Sequence, residues 1–272
     1  MIIRSIAVAA LGLTAVAVPA SASVEAIPQI NCPSASCFRV AGNLGEVVYT
    51  AEDGQGSIYL TYSTGLLRKV VPATGQNTLV TSGLGNLRGI ALDGQGSAYV
   101  ANFDGQLQKV DLITGAKTVV FTDSSSLHAV AYAAGSTYVS SGNGVLWQIR
   151  AGQSARKVNT QIGYTDTIAL DGKGNAYSGD MFANRIQRTD LTTGAAQTVG
   201  TTDYEMTSVS VGPDGRVYFA LGSDVWRIDP ATGQKKEIAQ LSPFVFNWRL
   251  GADGVALIPG STMYRVTGLT QL

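Results

Sequence analysis

Short segments in which apolar and polar residues alternate recur along this chain at a nearly constant interval. They read Ser57-Ile-Tyr-Leu, Ser97-Ala-Tyr-Val, Ser136-Thr-Tyr-Val, Asn175-Ala-Tyr-Ser and Arg216-Val-Tyr-Phe, and their tyrosines are 40, 39, 39 and 41 residues apart. Alternation with a period of two predicts strands. Val255-Ala-Leu-Ile supplies a sixth copy without the aromatic ring. A second series keeps register with the first: Leu67-Arg-Lys-Val, Leu107-Gln-Lys-Val, Leu146-Trp-Gln-Ile, Ile186-Gln-Arg-Thr, Val225-Trp-Arg-Ile and Met263-Tyr-Arg-Val.

Turn residues fill the intervals. Asp-Gly pairs begin at Asp53, Asp93, Asp171, Asp214 and Asp253, ahead of the Tyr strands, and Thr-Gly pairs begin at Thr74, Thr114, Thr193 and Thr232. Both dipeptides suit hairpins, because glycine accepts the positive φ of a tight turn. Each unit of about 40 residues thus holds four short strands, and a four-stranded sheet repeated at that period is a propeller blade. The fold expected is all-β, a six-bladed β-propeller with four antiparallel strands per blade. The Asp-Gly turns lack the clustered acids of a calcium loop and read as structural.

The sixth unit stops short of an outer strand. The segment from Val40 supplies one, because Val40, Leu44 and Gly45 stand 40 residues before Val80, Leu84 and Gly85. Phe38 to Ala41 is therefore expected beside 263–266, closing the ring and removing an exposed edge. The blades divide as 47–86, 87–126, 127–165, 166–205, 206–245 and 246–272, with 23–46 as N-terminal loop and closing strand.

The start of the chain carries a different pattern. Arg4 precedes an apolar run from Ile6 to Val18, and Ala20-Ser21-Ala22 gives a small-x-small cleavage site, so residues 1–22 read as a secretory signal peptide. The run is short for a membrane span, and no later stretch approaches one. Secretion or a periplasmic location follows. The oxidising destination makes a Cys32–Cys37 disulfide the expectation, holding a loop beside the closing strand. Without Arg4, 18 basic residues face 19 acidic ones. That balance offers nothing for nucleic acid or a membrane surface. A monomer is expected.

Segments such as Leu87-Arg-Gly-Ile-Ala-Leu-Asp-Gly-Gln-Gly-Ser-Ala-Tyr-Val-Ala-Asn, followed by Leu107-Gln-Lys-Val-Asp-Leu-Ile-Thr-Gly, resemble NHL-type repeats. The pattern is similar to that of the senescence-marker/gluconolactonase group and the streptogramin lyases, and it covers nearly all of the chain after the signal. The lyase resemblance implies two histidines and a divalent metal, but His128 is the single histidine. The gluconolactonase resemblance implies a divalent ion held near the starts of the inner strands. The aligned positions are Val48, Arg88, His128, Asp166, Thr207 and Phe246 or Asn247. Asp166 and Asn247 offer oxygen, whereas Arg88 adds a positive charge. No cofactor is expected, and a calcium or magnesium ion is the minority alternative.

The face bearing the inner-strand starts and the loops after the Tyr strands varies from blade to blade. Tyr62, Asn102, Phe103, Asp180, Phe182, Asn184 and Asn247 are the candidate ligand-binding residues there. Arg88, His128 and Asp166 are the candidate catalytic groups. His128 could act as a general base, but a lone histidine is more often a structural hydrogen-bonding residue. Asp166 reads as its orienting partner or as the counter-ion of Arg88. Loops also vary because they are free to. Trp147 and Trp226 are expected between blades, and Trp248 in the core. No serine nucleophile motif or glycine-rich phosphate loop stands out. Three functions stay open: binding a small molecule, glycan or peptide at the channel mouth; lactonase, lyase or cyclase chemistry on a small natural product; and a protein-interaction scaffold.

Overall fold

The alternating segments form strands, and the turn dipeptides join them. The computed structural model describes residues 26–242, 247–251 and 253–272. The signal sequence, its cleavage site and Phe246 lie outside those residues. Six antiparallel four-stranded units follow one another around a ring. Blade one runs through Val47–Glu52, Ile58–Tyr62, Leu67–Val71 and Gln76–Thr81. Blade two uses Leu87–Leu92, Ser97–Asn102, Gln106–Asp111 and Lys117–Thr122, and blade three Leu127–Ala133, Ser136–Ser141, Leu146–Arg150 and Arg156–Asn159. Blade four comprises Ile168–Leu170, Asn175–Asp180, Arg185–Asp190 and Ala196–Thr201, and blade five Ser208–Val211, Val217–Leu221, Asp224–Ile228 and Lys235–Ser242.

Blade six owns three strands, Arg249–Leu250, Ala256–Ile258 and Thr262–Val266, and takes its fourth from the N-terminal side. Cys37–Gly42 runs antiparallel to Thr262–Val266, with Cys37 opposite Val266 and Ala41 opposite Met263. The donated strand is where the 40-residue offset put it. A further strand lies just before it. Gln29–Asn31 pairs in parallel with Gln240–Ser242, adding a fifth strand to the outside of blade five. The Cys32–Cys37 disulfide closes the loop between these two edge strands. One stretch of chain therefore covers two blades.

The turns show why aspartate recurs. Asp53 Oδ1 accepts from the amides of Gln55 and Ser57 at 2.8 and 2.9 Å, and Asp93 and Asp171 repeat the arrangement. The side chain thus satisfies amides that a tight turn leaves unpaired. Two of the Thr-Gly turns use an aspartate at the end of the preceding strand. Asp111 Oδ1 takes the amides of Ile113 and Thr114, and Asp190 those of Thr192 and Thr193.

The core is a set of apolar layers between neighbouring blades. Leu44, Ile58, Leu60, Tyr62, Val70, Leu257 and Met263 fill the seam between blades six and one, where Arg265 also pairs with Glu52. Trp248 is fully buried beside Ile30, Cys37 and Val266. Trp147 packs against Phe121 of the preceding blade, with ring centroids 5.0 Å apart. Trp226 packs on Phe219 of its own blade and reaches the cluster holding Val199 of blade four.

Inner strands approach closely around the channel. A Cβ on Gly89 would lie 2.3 Å from the carbonyl oxygen of His128, so only glycine lets blade two sit this near blade three. Hydroxyls of neighbouring strands stitch the ring together. Ser140 Oγ accepts from Ala129 N at 2.9 Å and donates to Thr165 O at 3.1 Å. Thr61 makes the matching bridge from Tyr49 to Arg88. These contacts fix the positions of residues 88, 128 and 166.

Candidate functional site

His128 is the second residue of the blade-three inner strand and is 1% exposed. Its Nδ1 lies 2.7 Å from Asp166 Oδ1, and its Nε2 lies 2.8 Å from Ser126 Oγ. Asp166 stands just ahead of the blade-four inner strand. With Nδ1–H directed at the carboxylate, Nε2 accepts the Ser126 hydroxyl proton. Of the two readings of Asp166, the geometry gives the histidine partner. Arg88 instead sits over the Phe103 ring, 4.9 Å from its centroid.

Aromatic rings frame this line of polar groups. Phe103 meets His128 edge to face at 5.5 Å, and Tyr164 does so at 4.7 Å. Phe182 continues the row, 5.2 Å from Tyr164, and is 81% exposed. Hydrogen bonds set the loops beneath the rings: Phe103 N donates to Asn86 O, Met181 N to Tyr164 O, and Gly142 N to Ser126 O. The arc thus sets three aromatic rings around an imidazole that is hydrogen-bonded to a carboxylate.

The other candidates occupy different settings. Tyr62 is buried in the seam between blades six and one. Asn102 is 1% exposed; it donates to Leu84 O and accepts from Gln106 N, both at 2.8 Å. Asp180 accepts from Ala183 N and pairs with Arg185 at 3.0 Å. Asn184 holds a left-handed turn at φ 49°. Asn247, at φ 52°, donates to Val48 O on the far side of the seam. Of the ligand candidates, Phe103 meets the His128 ring directly, and Phe182 joins the row through Tyr164.

The channel interior holds groups that strand-start alignment did not single out. Tyr49 is buried with its hydroxyl unpartnered, and Arg249 donates to Val130 O at 3.3 Å. Burial, and then the charge of Asp166, push the Tyr49 hydroxyl well above its ordinary pKa. The same two causes raise Tyr164, with Arg88 opposing them. Burial lowers Arg249. Arg249 borders both a small space of about 10 Å³ beside Asp166 and Tyr49 and a wider one of about 430 Å³ near Glu52 and Tyr132. A cleft of about 740 Å³ opens between blades two and three at the opposite face. It contains Asp93, already 4.0 Å from Lys109, and no histidine.

The metal implied by the family resemblance does not fit. Among the described residues no three His, Cys, Asp or Glu side chains come together. Asp166 is bonded to His128, Asn247 turns its Nδ2 to Val48, and Arg88 lies in the same arc. A hard cation prefers several oxygen ligands.

No family model matches the sequence, and no curated protein matches it. Solved structures do. A gluconolactonase from Xanthomonas campestris superposes with a TM-score of 0.72 at 10% identity, covering 85% of this chain and 88% of that one. A streptogramin B lyase gives a TM-score of 0.65 at 13% identity over 85% and 97% of the two chains. YCF48 bound to D1 peptide gives 0.66 at 9% identity, over 89% and 98%. The neighbours thus include enzymes and a peptide binder. At these identities the likeness is one of fold.

Proposed function

We propose that this protein is an exported propeller enzyme that hydrolyses a small ester or lactone at the channel mouth, with His128 as general base. The observation that carries this reading is the His128–Asp166 contact at 2.7 Å. A carboxylate on Nδ1 fixes the tautomer that leaves Nε2 free to take a proton, and it stabilises the imidazolium that results. The rings of Phe103, Tyr164 and Phe182 suit an apolar or aromatic part of the substrate. Export is supported by the disulfide, by the apolar start of the chain with cleavage after Ala22, and by the lack of a long apolar helix among the described residues. The mature chain from Ser23 acts as a monomer.

A second reading, a binding protein for a small molecule, glycan or peptide, is favoured by the low exposure of His128 and by both its ring nitrogens being occupied. Incubating the mature protein with a panel of aryl esters and lactones separates the two. The enzyme reading expects conversion that disappears in His128→Ala. Retention of a ligand without conversion, equal in wild type and variant, supports binding alone.

A further inference from the structure

Ser126 holds the Gly142 loop through its carbonyl, as Asn86 and Tyr164 hold theirs, but its hydroxyl has a partner of its own. It immediately precedes the inner strand, and its Oγ faces His128 Nε2 at 2.8 Å, on the opposite side of the ring from Asp166. Hydroxyl, imidazole and carboxylate therefore stand in line. Proton transfer from the hydroxyl along that line generates an alkoxide-like nucleophile while the carboxylate balances the imidazolium.

Two further observations bear on Ser126. The backbone of Gly142 passes so close that a Cβ there would lie 2.5 Å from Ser126 Oγ and 3.4 Å from His128 Nε2. Space around the pair thus exists because residue 142 has no side chain. The Nε of Arg88 is buried and has no hydrogen-bond partner, while its guanidinium rests on Phe103, the ring that also touches His128. The guanidinium thus stands one aromatic ring away from His128, and its positive charge favours an oxygen that gains negative charge in this arc.

We infer that Ser126 attacks the substrate carbonyl and forms a covalent acyl-enzyme, an inference that rests on the hydrolase reading above. Ser126 Oγ bonds to the carbonyl carbon as its proton passes to His128 Nε2. The carbon–oxygen bond to the alcohol then breaks, and Nε2 protonates the departing oxygen. In a lactone that oxygen stays tethered to the acyl chain. Water next attacks the acyl carbon and gives its proton to Nε2. The carboxylic acid leaves, and the proton returns to Ser126. No oxidant, metal or further reactant enters the balance. The substrate class is a carboxylic ester whose acyl or alcohol part is apolar enough to lie on Phe103, Tyr164 and Phe182.

The test uses the mature chain with an aryl fluorophosphonate, read by intact mass and peptide mapping, alongside hydrolysis of a p-nitrophenyl ester. Labelling is expected on Ser126, absent in Ser126→Ala and strongly slowed in His128→Ala. Ester turnover should fall on the order of 10³-fold or more in Ser126→Ala. Melting curves of each variant verify that the fold is kept. Turnover that survives in Ser126→Ala but vanishes in His128→Ala overturns the nucleophile and leaves the general base standing. Wild-type protein that neither labels nor turns over any ester overturns both. Labelling of a different residue also overturns the assignment.

Discussion

Asp166 reaches from the entrance of blade four to His128 in blade three, placing a carboxylate oxygen 2.7 Å from Nδ1. Replacing it with asparagine keeps the volume while removing the charge and permitting the wrong tautomer. Turnover of an ester substrate is expected to fall by about 10²- to 10⁴-fold in Asp166→Asn, with little change in melting temperature. Equal rates for wild type and variant would show that the carboxylate only packs.

Gly142 makes a different kind of prediction. Its backbone does not need a positive φ, so alanine meets a steric obstacle alone, at Ser126 Oγ. Gly142→Ala should push the hydroxyl away from Nε2 and reduce fluorophosphonate labelling at least tenfold. Undiminished labelling would mean that the loop yields and that the close approach is incidental.

The N-terminal strap can be loosened without deleting it. The Cys32–Cys37 bond closes a small loop, and the chain-entropy relation gives about 2 kcal/mol for a ring of that size. For a domain of this length the loss corresponds to about 4–8 °C in melting temperature. Calorimetry of Cys32→Ser/Cys37→Ser measures it directly. Removing residues 23–45 takes away both edge strands, and aggregation is the expected result. An unchanged melting curve for that truncation would contradict closure of blade six.

Acid should act on the turns. Backbone amides of Thr114 and Thr193 hold the Asp111 and Asp190 carboxyls below the ordinary carboxylate range. A carboxyl with a lowered folded value contributes stability that is fully present above about pH 4. That contribution is lost as pH falls through the lowered value. Between pH 6 and 3 the melting temperature of Asp111→Asn/Asp190→Asn should therefore decline less steeply than that of wild type. Parallel curves would show that these turns are not acid-sensitive.

The architecture was legible because a propeller repeats its backbone needs. Strand alternation, Asp-Gly and Thr-Gly return every 40 residues or so, and even the donated strand left an offset to read. Gln29–Asn31 left none, since a parallel strand on the outside of one blade has no counterpart elsewhere. Alignment of strand starts found Arg88, His128 and Asp166 because equivalent positions converge on the channel. Ser126 was invisible for the opposite reason. It pairs with a histidine two residues on and, through it, with an aspartate 38 residues beyond, so no local motif records the line. Tyr62, Asn102 and Asp180, expected in the loops, close the strands Ile58–Tyr62, Ser97–Asn102 and Asn175–Asp180. There their side chains pack in a seam or fasten the following turn. Tyr164 and Phe182 belong to loops whose meeting only the folded ring decides.

Arg249 gives the ring a spoke. It belongs to the blade sealed by the N-terminal strap, yet it donates to Val130 O three blades away, on the strand that carries His128 two residues earlier. One hydrogen bond across the channel thus ties the strap's blade to the strand that carries His128.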